Sequence, residues 1–264
     1  MLAVLLTAEL ITVVVVLAVP GPAADPPLTV GDHRSVVLDN RGGQAGAQLL
    51  ARIAADIGPA VDAVESFWGT DWSHRIEITA TGSVQQFAAL AGAGRGAGDV
   101  AQWVDVAAVA VADRVDPERR RVSGQRVVFA PGATAMSDTA LRIVLTHELF
   151  HYAARADTAA EAPRWLTEGV ADFVARPGQE PPTTAPLTLP SDQELDAPGP
   201  RRAEAYDRAW GFARYVAARF GADKLRELYL SACGPADVAP AVAVPLVLGV
   251  GLPDLLTGWQ QWQG

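Results

Sequence analysis

The chain has 264 residues, half of them hydrophobic and 19% charged, with a formal net charge of -9. That length buries a substantial core in one large domain or two small ones. An acidic balance with a pI near 4.9 leaves no basic footprint for a phosphate backbone, so no nucleic-acid partner is expected.

One cysteine, Cys233, excludes an intrachain disulfide and a multi-thiolate metal site, so any metal must be held by histidine and carboxylate. Cys233 itself reads as a small buried apolar residue. Lys224 is the only lysine among the basic residues, a bias that fits high-GC codon usage better than any function.

The chain opens on "MLAVLLTAELITVVVVLAVPGPAADPP", apolar from Met1 to Val19 apart from Thr7, Glu9 and Thr12. The apolar stretch is nearer in length to the hydrophobic region of a signal peptide than to a full membrane span, although no basic residues precede it. Residues 1–25 are therefore expected to be a cleaved signal peptide or an uncleaved anchor. In the second case residues 1–20 attach the protein to a membrane, and in either case the folded part, 26–264, is extracytoplasmic.

Within 26–136 the pattern is mixed. "RSVVLD" (34–39) and "HRIEITA" (74–80) read as strands, and the intervening 47–69 carries apolar residues at helical spacing. Ser83 is placed to cap a helix over 83–92, and the glycine run 92–98 ends it without the strand or spacing of a phosphate loop. Two more strands are expected at 106–112 and 125–131, flanking the charged turn "DRVDPERRRVSG".

From Ser137 to the end, 137–264, the reading is mainly helical. The proline-rich segment 177–200 cannot continue a helix and is expected to be a loop. One or two helices should follow over "AEAYDRAWGFARYVAARFGADKLRELYLSA". The apolar 238–253 is interrupted by Pro240, Pro245, Gly249 and Gly251, and core packing is expected for it.

The chemistry concentrates in "THELFHYAARADTAAEAPRWLTEGVADFVA", residues 146–175. On a helix capped by Ser137, Ala140, Ile143, Val144, His147 and His151 share one face, while Leu141, Leu145, Leu149 and Tyr152 fall near the opposite one. One turn apart, His147 and His151 can aim imidazole nitrogens at one ion. Glu148, about 100° round the helix, can reach a water on that ion without binding the metal.

Such an H-E-x-x-H site needs a third protein ligand, and Asp157, Glu168 and Asp172 compete for the place. Asp157 has the spacing of the elongated H-E-x-x-H-x-x-G-x-x-(H/D) pattern, but Ala154 stands where that pattern needs glycine. Glu168 and Asp172 lie one turn apart on a second helix, for which Pro163 suits the first turn.

H-E-L-F-H followed by W-L-T-E-G-V-A-D resembles the gluzincins, the thermolysin-like zinc peptidases, and especially their small exported peptidase-MA-like members, which carry a similar W-L-x-E-G-x-A signature. The resemblance is specific over about residues 137–176. It implies that His147, His151 and Glu168 ligate Zn2+, that Glu148 is the general base, and that Asp172 orients a ligand histidine. Trp165 and Gly169 would serve helix packing.

The expected fold is α+β and zincin-like, a small mixed sheet plus an active-site helix and a mainly helical C-terminal half. The expected activity is zinc-dependent hydrolysis of a peptide or protein substrate. A peptidase-like binding or assembly protein with a structural or silent zinc site is the alternative. Tyr206, Tyr215 and His74 are the polar candidates for stabilising the oxyanion, Tyr206 foremost. His33 reads as a surface or satisfied histidine. The proline-rich segment is placed to wall or gate the cleft.

Overall fold

The computed structural model describes residues 28–92, 103, 105–182 and 187–262. The leader expected at 1–25 and nearly all of the glycine run lie outside them. Five strands form a mixed sheet in the order β1 (Leu28–Val30), β2 (Arg34–Arg41), β3 (Arg75–Thr81), β7 (Arg126–Phe129) and β4 (Ala108–Val111). The central β2, β3 and β7 run parallel, and the two outer strands pair antiparallel to their neighbours.

Alternation along the strands feeds two cores. Ile76, Ile78 and Ala80 of β3 and Val127 and Phe129 of β7 face helices α1 (Gly43–Trp68) and α3 (Asp138–Ala154). Leu49, Ile53, Ile57, Val61 and Val64 form the inward stripe of α1, at the spacing one helical face requires. On the other side of the sheet Val128 and Ala130 meet Phe87 and Ala91 of α2 (Val84–Ala91), a helix capped by Ser83 as expected. The sheet is thereby covered on both faces.

Arg34 is fully buried beside this core. Its guanidinium donates to the Thr70, Trp72 and Ser73 carbonyls and to Glu65, and lies 3.6 Å from the centre of the Trp72 ring. A buried cation is tolerated when its donors are used in this way.

The strands expected at 106–112 and 125–131 are antiparallel neighbours, but the charged stretch between them is more than a turn. It forms a separate two-stranded hairpin, β5 (Arg114–Asp116) with β6 (Arg121–Ser123). Asp116 closes the bend by accepting from the Arg119 backbone N–H and pairing with its guanidinium. Arg120, at φ +49°, clamps the hairpin to Asp71 and Asp157.

The C-terminal half is helical: α4 (Arg164–Ala175), α5 (Asp192–Leu195), α6 (Pro200–Phe220), α7 (Ala222–Cys233), α8 (Pro240–Leu248) and α9 (Leu252–Gln261). Pro163 sits at the N-cap of α4, one position before the first turn. The proline-rich segment contains α5, nucleated by a reciprocal cap in which Ser191 and Glu194 bond each other's backbone N–H. Gly221, at φ +97°, breaks the long helical run into α6 and α7.

The core packing expected for 238–253 holds on one face of α8 only. Ala243, Val244 and Leu248 are buried, but Val242 and Leu246 on the other side of α8 are 58% and 74% exposed. A helix of one composition all round, laid on the surface, must expose one of its faces. Among the described residues no single helix is long and apolar enough to cross a membrane.

Candidate metal centre

α3 begins as the sequence predicts, with the Ser137 hydroxyl accepting from the Ala140 N–H, and Leu141, Leu145, Leu149 and Tyr152 buried in the core. Its other face carries the two histidines toward α4. That helix brings Glu168 and Asp172 to them, and on it Gly169 lets α6 approach closely. A Cβ on Gly169 would lie 2.3 Å from the Ala209 carbonyl oxygen. Trp165 packs edge-on to Phe212, ring centres 5.3 Å apart.

Three atoms converge. His147 Nε2 lies 3.1 Å from His151 Nε2 and 3.1 Å from Glu168 Oε2, and His151 Nε2 lies 3.3 Å from the same oxygen. Ligands about 2.0–2.1 Å from a tetrahedral ion are about 3.3 Å apart, so this triangle is close to one face of a zinc coordination sphere. Two nitrogens and a carboxylate oxygen also match the donor set catalytic zinc takes. Among the described residues this is the one group of three such side chains with convergent ligand atoms.

The electrostatics point the same way. Burial opposes a charge on His147, yet the carboxylates of Asp172 and Glu168 hold its pKa well above the ordinary histidine value. Burial would likewise raise Glu168, but His151 and His147 hold its carboxyl well below the usual range. Both shifts express one demand, a positive charge among the three groups, which a proton or a metal cation meets.

Asp172, almost fully buried, places Oδ1 3.1 Å from His147 Nδ1. A carboxylate only accepts, so Nδ1 carries a proton, and with a cation in the triangle Nε2 is the nitrogen left to present a lone pair to it. Behind it, Arg176 reaches the same Oδ1 at 3.3 Å and Asp207 at 3.6 Å, with its guanidinium over the Trp210 ring.

Glu148 stands beside the triangle and takes no part in it. Its Oε2 accepts from the Ala110 backbone N–H at 2.7 Å, on the edge strand β4. Burial pushes the carboxyl up, the charges on His147 and His151 pull against it, and the net shift is upward. A carboxylate raised in this way is a stronger base than a free one.

Tyr206, on α6, has its ring centre 6.2 Å from that of His147. The negative charge of Glu168, with burial and Glu148, pushes the phenol above its ordinary range, so it is a neutral donor at the rim of the cluster. The other two polar candidates are elsewhere. Tyr215 packs against Trp262 and the Gly258 backbone, and exposed His74 faces Asp32.

Asp157, weighed as a third ligand, lies in a 3-10 turn after α3 and gives both oxygens to Arg120. His33 is exposed, at φ +71°, and Cys233 is buried, both as expected. Two hollows of about 380 Å3, one bounded by Trp72, Arg120 and Tyr152, the other by Tyr215, Phe220 and Trp262, include none of the cluster residues in their walls.

Three participants were missed from the sequence: the Ala110 N–H, Arg155 and Arg176. Arg176 had a signal, since it follows Asp172 by one turn. Arg155 follows Glu148 by two. The Ala110 backbone, 38 residues from Glu148, had none.

No known protein-family model matches the chain, and no curated protein matches it. The resemblance to gluzincins therefore rests on the motif residues alone.

Proposed function

We propose that the protein is a zinc-dependent peptidase of gluzincin type on a zincin-like fold. The observation that carries this reading is the triangle of His147 Nε2, His151 Nε2 and Glu168 Oε2 with Glu148 beside it but outside it. His147, His151 and Glu168 would hold the ion, with Asp172 fixing the His147 tautomer. Zinc bound by three such ligands supplies Lewis acidity, bringing the pKa of a coordinated water toward about 7 and polarising a substrate carbonyl.

Glu148 takes a proton from the attacking water as the carbon–oxygen bond forms and returns it to the leaving amine as the peptide bond breaks. One carboxylate oxygen is anchored on the Ala110 N–H, which leaves the other for this transfer. Tyr206 donates a hydrogen bond to the oxygen on which negative charge develops. A buried surround strengthens both interactions.

The test is elemental analysis of the full chain, wild type and Glu148→Gln, with a peptide-library cleavage assay on both. About one zinc in each, with cleavage by wild type alone, is expected. Zinc in both without cleavage by either would favour the binding or assembly role, and a folded sample without zinc would remove the site.

A further inference from the structure

Among the described residues, two side chains from α3 and its end hydrogen-bond the edge strand β4, both at Ala110. In an antiparallel ladder, residues alternate between bonding the partner strand and facing away from it. The Ala107 carbonyl accepts from the Ala130 N–H, which puts Val109 and Val111 in the set that bonds β7. Ala108 and Ala110 then present their N–H and C=O to the free edge.

Both outward groups of Ala110 are engaged. Its N–H donates to Glu148 Oε2 at 2.7 Å, and its carbonyl accepts from Arg155 Nη2 at 2.9 Å. Glu148 and Arg155 are seven residues apart, two turns on one side of α3 and its end. Among the described residues the Ala110 N–H is the one hydrogen-bond donor that reaches the Glu148 carboxylate.

This gives Arg155 work beyond packing. β4 has four residues and a backbone partner on one side only, and short edge strands are the least firmly held part of a sheet. If Ala110 drifts from α3, Glu148 loses its anchor, and a buried carboxylate without a donor turns toward another one. The guanidinium keeps its charge and its donors at any working pH, so titration does not undo the tie.

We infer that Arg155 is a positioning residue for Glu148: by holding the Ala110 carbonyl, it keeps the Ala110 N–H where it fixes the orientation of the base. The inference rests on the peptidase reading for its consequence in turnover, but the tie itself is a property of the fold.

The experiment compares the full chain as wild type, Arg155→Met and Arg155→Lys, each loaded with zinc. It measures site-resolved hydrogen exchange at the Ala110 amide, zinc stoichiometry, and kcat and KM on a cleaved peptide. In Arg155→Met the Ala110 amide should exchange about tenfold faster while the amides of Leu145 and Leu149 keep their wild-type rates. Its kcat should fall about tenfold or more, with KM and zinc content unchanged. Arg155→Lys, which keeps a cationic donor, should recover part of both losses.

Unchanged exchange at Ala110 in Arg155→Met would overturn the inference. So would a kcat loss that comes with zinc loss or with faster exchange throughout α3, and that lysine does not reduce. A wild type that binds zinc and cleaves nothing would count against the peptidase reading instead, and the exchange arm would still decide whether Arg155 holds Ala110.

Discussion

Gly169 and Ala209 set the distance between α4 and α6. A methyl group at Gly169 would stand 2.3 Å from the Ala209 carbonyl oxygen and 2.7 Å from its carbon, both backbone atoms of a helix that cannot fold aside. The glycine lies next to Glu168, and Ala209 lies one turn after Tyr206, so the same contact spaces a proposed ligand from a proposed oxyanion donor. Gly169→Ala should destabilise the protein by about 1–3 kcal/mol, the usual cost of overpacking. The better helix propensity of alanine offsets less than about 1 kcal/mol of that. Urea unfolding of both proteins checks this, and equal midpoints would show that the helices separate at little cost.

Asp172 separates the role of orienting a ligand from that of ligation. Its carboxylate fixes His147 through Nδ1 and lies outside the triangle. Asp172→Asn keeps the shape and removes the charge, so zinc affinity should fall about 10- to 100-fold. Glu168→Gln, which removes charge from the ligand set itself, should lose more. Competition with a chelator of known affinity measures both, and an Asp172→Asn affinity equal to wild type would remove Asp172 from the metal centre.

The cluster was legible in the sequence because all its members lie on two helices within 26 residues, where a 3.6-residue period alone predicts which side chains share a face. His147, Glu148 and His151 follow from spacing, which left Asp157, Glu168 and Asp172 competing as third ligand until the resemblance to gluzincins singled out Glu168 and Asp172, and Ser137 as cap follows from its side chain. What escaped depends on chain segments far apart. The parallel pairing of β2, β3 and β7 is non-local, and no period in the sequence encodes strand order. Nothing near Arg34 in the sequence signals its burial, because Thr70, Trp72 and Ser73, whose carbonyls take its donors, lie 36 or more residues away. β5 and β6 are three residues each with one valine apiece, too short for alternation to mark them as strands. The exposed side of α8 could not be told from its buried side because an all-apolar segment has no polar face to reveal which side meets water.

Tyr206 is a neutral phenol beside two carboxylates and a histidine, and its proposed work is confined to the transition state. Tyr206→Phe should therefore lower kcat about 100-fold or more, with KM and zinc content close to wild type. Steady-state kinetics with elemental analysis on the same sample checks it. A rise in KM with kcat unchanged would assign Tyr206 to substrate binding, and no change in either would leave it a packing residue.

Glu194 ties the end of the proline-rich segment to the helix that carries Tyr206. The Ser191 backbone N–H, the Arg208 guanidinium and the Ser191 hydroxyl, in that order, hold its carboxyl down at about 2, against an ordinary 4.5. Arg208, itself buried, also holds Thr188. A carboxyl depressed in the folded state contributes stability that is present above about pH 4.5 and is lost as the pH falls toward 2. Glu194→Gln should therefore be less stable than wild type at pH 6, and the gap between them should narrow below pH 4.5 and close near pH 2. Comparing the two proteins cancels the titration of the other carboxylates, and their urea midpoints across that window give the measurement. A gap of constant size would mean that Glu194 acts through shape alone, and that the hold on the segment is independent of its charge.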